Sequence, residues 1–261
     1  MQKSKNIPAN LMNRIRAVRK TYFKFFKSES QTIQLLTFLS TIILGVDDII
    51  EMGGRSQCQR HLIKYFIKRL SREFSVTSAR GKNVALWISE AIESMSLARV
   101  ATYLRNDIAR DYLNMLKAMG QELKSGDGLT LKSYLLISRE SIGAKLIVDL
   151  ALFIGNERRR PKNISAFKNE FSELMRIAND YGTYRVEKYK INAIKMTVIK
   201  QPQISRNGLR EHFLRLAKRR ENRVQDLIYH LEINDATKNV LSKLTTVGML
   251  YFKIGDIQKR K

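Results

Sequence analysis

Three oxygen-bearing side chains recur at helical spacing near the middle of the chain: Asn179, Thr183 and Glu187. In a helix they occupy positions i, i+4 and i+8, so an amide oxygen, a hydroxyl and a carboxylate lie on one face. Mg²⁺ prefers oxygen ligands in near-octahedral geometry and usually shares its coordination sphere with water and substrate phosphates. The pattern therefore predicts part of a site for a hard divalent cation.

A second group of acidic residues lies upstream, where Asp47 and Glu51 stand at i, i+4 with Asp48 beside them. They end an apolar stretch, residues 31–52, which Gly53 and Gly54 stop. Carboxylates beside apolar surface are costly unless they are paired or bound to a metal. A second metal-binding face is predicted, and a solvated helix end is the alternative.

Apolar residues recur at three and four along most of the chain, and only three prolines occur, which predicts an all-α fold. The predicted helices cover residues 31–52, 57–74, 83–119, 130–154, 164 to about 198, 209–232 and 234–256. Charge and Gly143 interrupt the fourth of these at residues 138–143. Its Arg139 suits a phosphate, because a guanidinium binds such groups bidentately. An ion pair with Glu140 or Asp149 is an equally good explanation of that arginine.

The net charge of +24, from 48 Lys+Arg and 24 Asp+Glu, is unusual. Such a field attracts nucleic acid, anionic membranes or phosphorylated small molecules, and a solvated lysine-rich surface is the alternative. Residues 1–30 are basic with an aromatic run at 22–26 and are predicted to pack on the domain formed by residues 31–261. A single cysteine, Cys58, allows no intrachain disulfide, so a cytoplasmic location is expected, and no apolar run is long enough to span a bilayer.

The order of the motifs resembles that of the class I terpene synthases, of the bacterial type. That family carries D-D-x-x-[DE] and N-D-x-x-[ST]-x-x-x-E, which residues 47–51 and 179–187 match, and a kinked helix with a diphosphate-sensing arginine, which residues 134–144 resemble. The resemblance implies an all-α, single-domain helical bundle around a central apolar cavity, with three Mg²⁺ ions. The implied metal ligands are Asp47, Glu51, Asn179, Thr183 and Glu187; Asp48 and Arg139 complete the implied catalytic set.

The implied reaction is the magnesium-dependent loss of diphosphate from a linear or pre-cyclised prenyl diphosphate, of farnesyl or geranylgeranyl type. The carbocation then cyclises or rearranges to a terpene, so the implied enzyme is a lyase that acts on a prenyl diphosphate. A homodimer is compatible with the resemblance. The implied diphosphate-binding residues are Arg139, Arg185, Lys188 and Lys253. The candidates for the cavity wall are Phe38, Tyr65, Trp87, Phe153 and Tyr189.

Two departures from the family pattern and two alternatives stay open. Val186 stands where a lysine is common, and no Arg-Tyr pair follows the second motif; Lys253, or Lys259 with Arg260, could supply that charge. A prenyltransferase of the same fold usually carries two D-D-x-x-D motifs, which the Asn/Thr/Glu pattern argues against. A basic helical protein that binds nucleic acid through its terminal basic clusters is disfavoured, because the sequence has no nucleic-acid-binding motif and its acidic faces repel phosphate without a metal.

Overall fold

A computed structural model describes residues 9–26, 33, 36, 40, 43, 102–124, 129–183 and 192–257. The chain forms two compact units, Met1–Val100 and Ala101–Lys261. The first predicted motif, at residues 47–51, lies outside the described residues. The predicted boundary at residue 30 stays a prediction.

In the first unit, helix α1 spans Ala9–Phe26. It buries Tyr22 and Phe26, one turn apart, and their rings meet edge to face with centroids 6.3 Å apart. The hydroxyls of Tyr22 and Ser40 are hydrogen-bonded at 2.9 Å. Part of the aromatic run at 22–26 is therefore packed inside this unit, whereas Phe23 faces solvent.

The second unit is helical throughout its described part, in which no strand occurs. Its helices are α2 (Thr102–Lys124), α3 (Leu131–Ser141), α4 (Ala144–Ile154), α5 (Ile164–Thr183), α6 (Ala193–Lys200), α7 (Arg206–His230) and α8 (Asp235–Ile257). The all-α prediction is confirmed.

Helix α5 is the central element of this unit. Its buried side chains recur at intervals of three and four residues, and none of the following is accessible to solvent: Phe167, Phe171, Leu174 and Ala178. Such a stripe drives packing on several sides, and α5 packs against α3, α4, α6, α7 and α8. The helix that bears the second motif is thus held by most of the unit.

The predicted interruption at residues 138–143 is confirmed as the break between α3 and α4. Ile142 ends α3, and its N–H bonds to the carbonyl of Ser138. Gly143 then has φ = 72°, in the left-handed region, before α4 begins at Ala144. Only glycine adopts this conformation without strain, which explains its place at the break.

A single helix from residue 164 to about 198 is wrong. Asn192 is extended, with φ −145° and ψ 163°, and its side-chain oxygen accepts a hydrogen bond from the N–H of Lys195. It is therefore an N-cap that starts a separate helix, α6. The predictions for 209–232 and 234–256 agree with α7 and α8, and Ser205 is the N-cap of α7 as its type suggests.

Candidate metal-binding site

Asn179 and Thr183 lie on the last turns of α5, and both are half-buried. The hydroxyl of Thr183 donates to the backbone carbonyl of Asn179 at 2.9 Å. This bond uses the hydroxyl hydrogen and leaves oxygen lone pairs able to bind a cation. An amide oxygen and a hydroxyl oxygen one turn apart are a donor set that fits Mg²⁺. The third predicted ligand, Glu187, lies outside the described residues.

Asp180, between these two residues in the motif, is fully buried. Its Oδ2 accepts hydrogen bonds from the Tyr134 hydroxyl and from the backbone N–H of Ala193, both at 2.9 Å. Its Oδ1 lies 2.8 Å from the Nε of Arg176, one turn earlier on α5. Burial raises the pKa of the Asp180 carboxyl above its ordinary value, against the guanidinium of Arg176, which lowers it. This carboxylate is turned into the protein, where it joins helices.

Arg139 is on the last turn of α3 and is partly buried. Its Nη1 lies 3.4 Å from Oε1 of Glu173, and its Nε lies 3.6 Å from Oε1 of Glu140. Of the two alternative ion-pair partners, Glu140 is therefore present. Asp149 is wrong as a partner, because this buried carboxylate pairs with Lys168 instead.

The distance between Arg139 and the metal motif follows from the position of Glu173. Glu173 lies six residues before Asn179 on α5, which is roughly 9 Å along the helix axis. No hydrogen bond or ion pair joins Arg139 to Asn179 or Thr183, and all three are described. The structure brings two of the predicted ligands together and places the predicted phosphate-binding arginine nearer the middle of α5.

Most other predicted site residues lie outside the described residues: Asp47, Asp48, Glu51, Arg185, Lys188, Phe38, Tyr65, Trp87 and Tyr189, together with the side chain of Lys253. Phe153 is described and half-buried near the end of α4. Phe153 lies one turn after Asp149, whose carboxylate contacts Lys168 near the start of α5. Lys168 is fifteen residues before Thr183, roughly 22 Å along the helix axis. Phe153 is therefore remote from Thr183 and stays only a candidate for the cavity wall.

The structure also reveals polar residues that the sequence did not single out. Arg176 donates through Nε to the Tyr134 hydroxyl at 2.8 Å, and its Nη1 lies 3.6 Å from Glu122 on α2. Ser141 in turn donates to Glu122 at 2.8 Å. The one signal for these contacts in the sequence was the i, i+4 spacing of Arg176 and Asp180. It indicates an ion pair within one helix and does not indicate the contacts with α2 and α3.

The described residues contain no group of three or more His, Cys, Asp or Glu side chains able to hold a metal ion. Within the same part of the chain, no helix combines the length and the apolar character that crossing a membrane requires.

Residues 39–223 match a sequence family described as "Terpene synthase family 2, C-terminal metal binding". This match covers both predicted acidic motifs and more than half of the chain. No curated protein sequence matches the chain significantly.

Solved terpene synthases share the fold. Abietadiene synthase from Abies grandis aligns with a TM-score of 0.66 and 15% identity, over 93% of this chain but 37% of that enzyme. A cucumene synthase variant aligns with a TM-score of 0.59 and 10% identity, over 95% and 94% of the two chains. Aristolochene synthase from Penicillium roqueforti gives 0.59 and 16%, over 99% and 97%. With its helical architecture and its matched metal-binding region, the chain belongs to terpene synthase family 2 and has the all-α fold of the class I terpene synthases.

Proposed function

We propose that this protein ionises a prenyl diphosphate in a magnesium-dependent reaction, with loss of diphosphate and cyclisation of the resulting carbocation to a terpene. The observation that carries the proposal is the pair of oxygen donors, Asn179 and Thr183, one turn apart at the end of α5. They lie within residues 39–223, the part of the chain that matches the family.

The roles of the residues follow from their chemistry. Bound magnesium supplies positive charge that neutralises the departing diphosphate. Asn179 and Thr183, with Glu187, would hold one ion, and Asp47 and Glu51 would bind metal at the first motif.

Arg139 would contact the diphosphate. Its guanidinium is partly buried and now faces the carboxylates of Glu173 and Glu140. Charge-assisted bonds from a guanidinium to phosphate are as favourable as those to carboxylate, so a bound diphosphate can compete for the same N–H groups. Arg220 also contacts Glu173, at 2.6 Å, and so keeps that carboxylate paired if Arg139 leaves it.

Several finer features belong to the same proposal. Three magnesium ions, a substrate of farnesyl or geranylgeranyl type, a bacterial type of enzyme, a cytoplasmic location and a homodimer are taken from the family resemblance and the composition. The high net charge of +24 would favour the approach of an anionic substrate.

The test is diphosphate release from farnesyl and geranylgeranyl diphosphate, with and without Mg²⁺. Asn179→Ala and Thr183→Val each remove one oxygen ligand, so we expect kcat/KM to fall by about 10²–10³-fold. Asn169→Ala makes the same change on the same helix, at a half-buried position outside the motif. Thr246→Val removes the same kind of hydroxyl-to-carbonyl bond, to Ser242 on α8. We expect both control variants to keep the activity of the wild type.

Three outcomes would contradict the proposal. Wild-type protein that releases no diphosphate from either substrate overturns it. Activity that persists after Mg²⁺ is removed overturns the magnesium dependence. Motif variants as active as their controls overturn the assigned ligands. With isopentenyl diphosphate added as the acceptor, a product with a longer linear chain would support a prenyltransferase instead.

A further inference from the structure

Asp180 has contacts that no metal ligand would need. Successive helical residues are rotated by about 100°, so Asp180 points to a different side of α5 from Asn179. It is fully buried, whereas Asn179 and Thr183 are half-buried. Its carboxylate contacts three separate groups: the Tyr134 hydroxyl on α3, Arg176 on α5 and the first backbone N–H of α6.

The contact with α6 connects the last turns of α5, which carry part of the metal motif, to the first residue of α6. Ala193 is the first residue of α6, and the N–H groups of a first helical turn have no acceptor within their own helix. Asn192 satisfies one of them, on Lys195, and Asp180 satisfies that of Ala193. In sequence, the segment 184–191, which carries Glu187, lies between Thr183 and Asn192, the residue before the one whose N–H Asp180 accepts.

We propose that Asp180 is a positioning residue for the magnesium site: its buried carboxylate ties the start of α6 to the motif-bearing turn of α5, and so sets where the segment carrying Glu187 leaves and returns. This inference rests on the function proposed above. Arg176 at Oδ1 and Tyr134 at Oδ2 support it by fixing the orientation of the carboxylate.

The first test uses two variants that cut the link differently. Asp180→Asn leaves one acceptor oxygen. If that oxygen takes the place of Oδ2, the amide N–H₂ faces Arg176 and the ion pair is lost; if the amide is turned round, the N–H₂ faces Tyr134 and Ala193 and accepts from neither. Ala193→Pro removes only the donating N–H and leaves the Asp180–Arg176 ion pair intact. Proline suits the first position of a helix, and Asn192 is already extended, with ψ 163°, as the residue before a proline prefers.

Glu157→Gln is the matched control. Glu157 Oε1 accepts from the backbone N–H of Asn234, just before α8, and from the Thr237 hydroxyl, each at 2.8 Å. It is also a carboxylate at a helix start, but it lies in the connection between α4 and α5, seven residues before α5 begins, whereas Thr183 is the last residue of α5. The same acid-to-amide change there tests the cost of losing such a contact away from the motif.

The measurement is the affinity for Mg²⁺ in the presence of inorganic diphosphate, by titration calorimetry on the wild type and the three variants. Both Asp180→Asn and Ala193→Pro should weaken that affinity by about 10–100-fold, and Glu157→Gln should leave it unchanged. At saturating Mg²⁺, kcat of the two variants should return toward the wild-type value, because all magnesium ligands remain. In Asn179→Ala, which lacks a ligand, it should not return.

The outcomes separate the two proposals. If the wild type binds Mg²⁺ with diphosphate and both Asp180→Asn and Ala193→Pro bind it equally well, Asp180 has no positioning role. The same follows if Glu157→Gln weakens binding as much as they do. If Asp180→Asn does not fold, Ala193→Pro alone decides. Wild-type protein that binds no Mg²⁺ overturns the proposed function and this inference with it.

Discussion

Replacing Lys168 with methionine should destabilise the second unit more than a comparable change at the surface does. Lys168 is buried on α5, and its Nζ contacts Asp149 on α4, Asp111 at 2.7 Å and Asp107 at 3.8 Å on α2. Arg110 pairs with both aspartates of α2, at 2.8 Å and 3.1 Å. Among the ion pairs of the described residues, Asp149 has Lys168 as its one partner.

The magnitude follows from these contacts. Removing one partner of a buried ion pair leaves an uncompensated charge and costs about 3–5 kcal/mol. Lys162→Met is the matched control, because Lys162 pairs with Glu232 at 3.2 Å while the two side chains are 79% and 65% exposed. Such surface pairs contribute about 0–1 kcal/mol. We therefore expect Lys168→Met to lower the free energy of unfolding by several times more than Lys162→Met at pH 8.

The penalty should depend on pH. Burial raises the pKa of the Asp149 carboxyl from 3.8 to about 7, against Lys168, which lowers it. Because the folded pKa lies above the unfolded one, the stability contributed by neutral Asp149 is complete below pH 3.8 and is lost as pH rises through about 7. At about 1.4 kcal/mol for each pH unit, this contribution amounts to about 4 kcal/mol. Near pH 5 Asp149 is neutral and needs no cation, and Arg110 still pairs with Asp107 and Asp111, so Lys168→Met should cost less there than at pH 8.

Urea unfolding followed by circular dichroism at pH 5 and pH 8 measures both effects. The contribution of Asp149 to the free energy of unfolding of the wild type should be larger at pH 5 than at pH 8. The Asp149→Asn protein should lack this contribution to the pH dependence. A penalty for Lys168→Met below about 1 kcal/mol at pH 8 would refute the reasoning. So would a penalty that is equal at the two pH values.

Two further predictions concern glycines. A Cβ on Gly155 would lie 1.7 Å from Oγ1 of the buried Thr237, so Gly155→Ala should destabilise the protein by about 1–3 kcal/mol, measured by urea unfolding; a midpoint equal to the wild type would contradict the close approach. Gly143 has φ = 72° at the break between α3 and α4, so Gly143→Ala should cost about 1 kcal/mol in the same assay, and a stabilised variant would be incompatible with that conformation.

The sequence predicted features whose cause is local. The i, i+4 spacing of Asn179 and Thr183 depends only on helix geometry, and Gly143 breaks the helix through its own backbone freedom. The helix start at Asn192 was missed, although asparagine is a common N-cap, because apolar residues continue with helical spacing on both sides of it.

Contacts between distant parts of the chain could not be predicted. Tyr134 on α3 and Asp180 on α5 are hydrogen-bonded although they are 46 residues apart in sequence. Nothing in the sequence around either residue indicates the other as its partner. Arg139 illustrates the same limit, because Glu140 is its neighbour in sequence and was foreseen, whereas Glu173 on α5 was not. Such pairs depend on how α3 packs against α5, which is a property of the whole unit.

The most direct test of the proposed function is the analysis of organic products by mass spectrometry. The wild-type protein is incubated with geranyl, farnesyl or geranylgeranyl diphosphate, with Mg²⁺ and with a chelator. We expect cyclic terpenes from at least one substrate with Mg²⁺, none with the chelator, and none from the Asn179→Ala protein. If no substrate gives a terpene in the presence of Mg²⁺, or if the same products form with the chelator, the protein is not a magnesium-dependent terpene synthase.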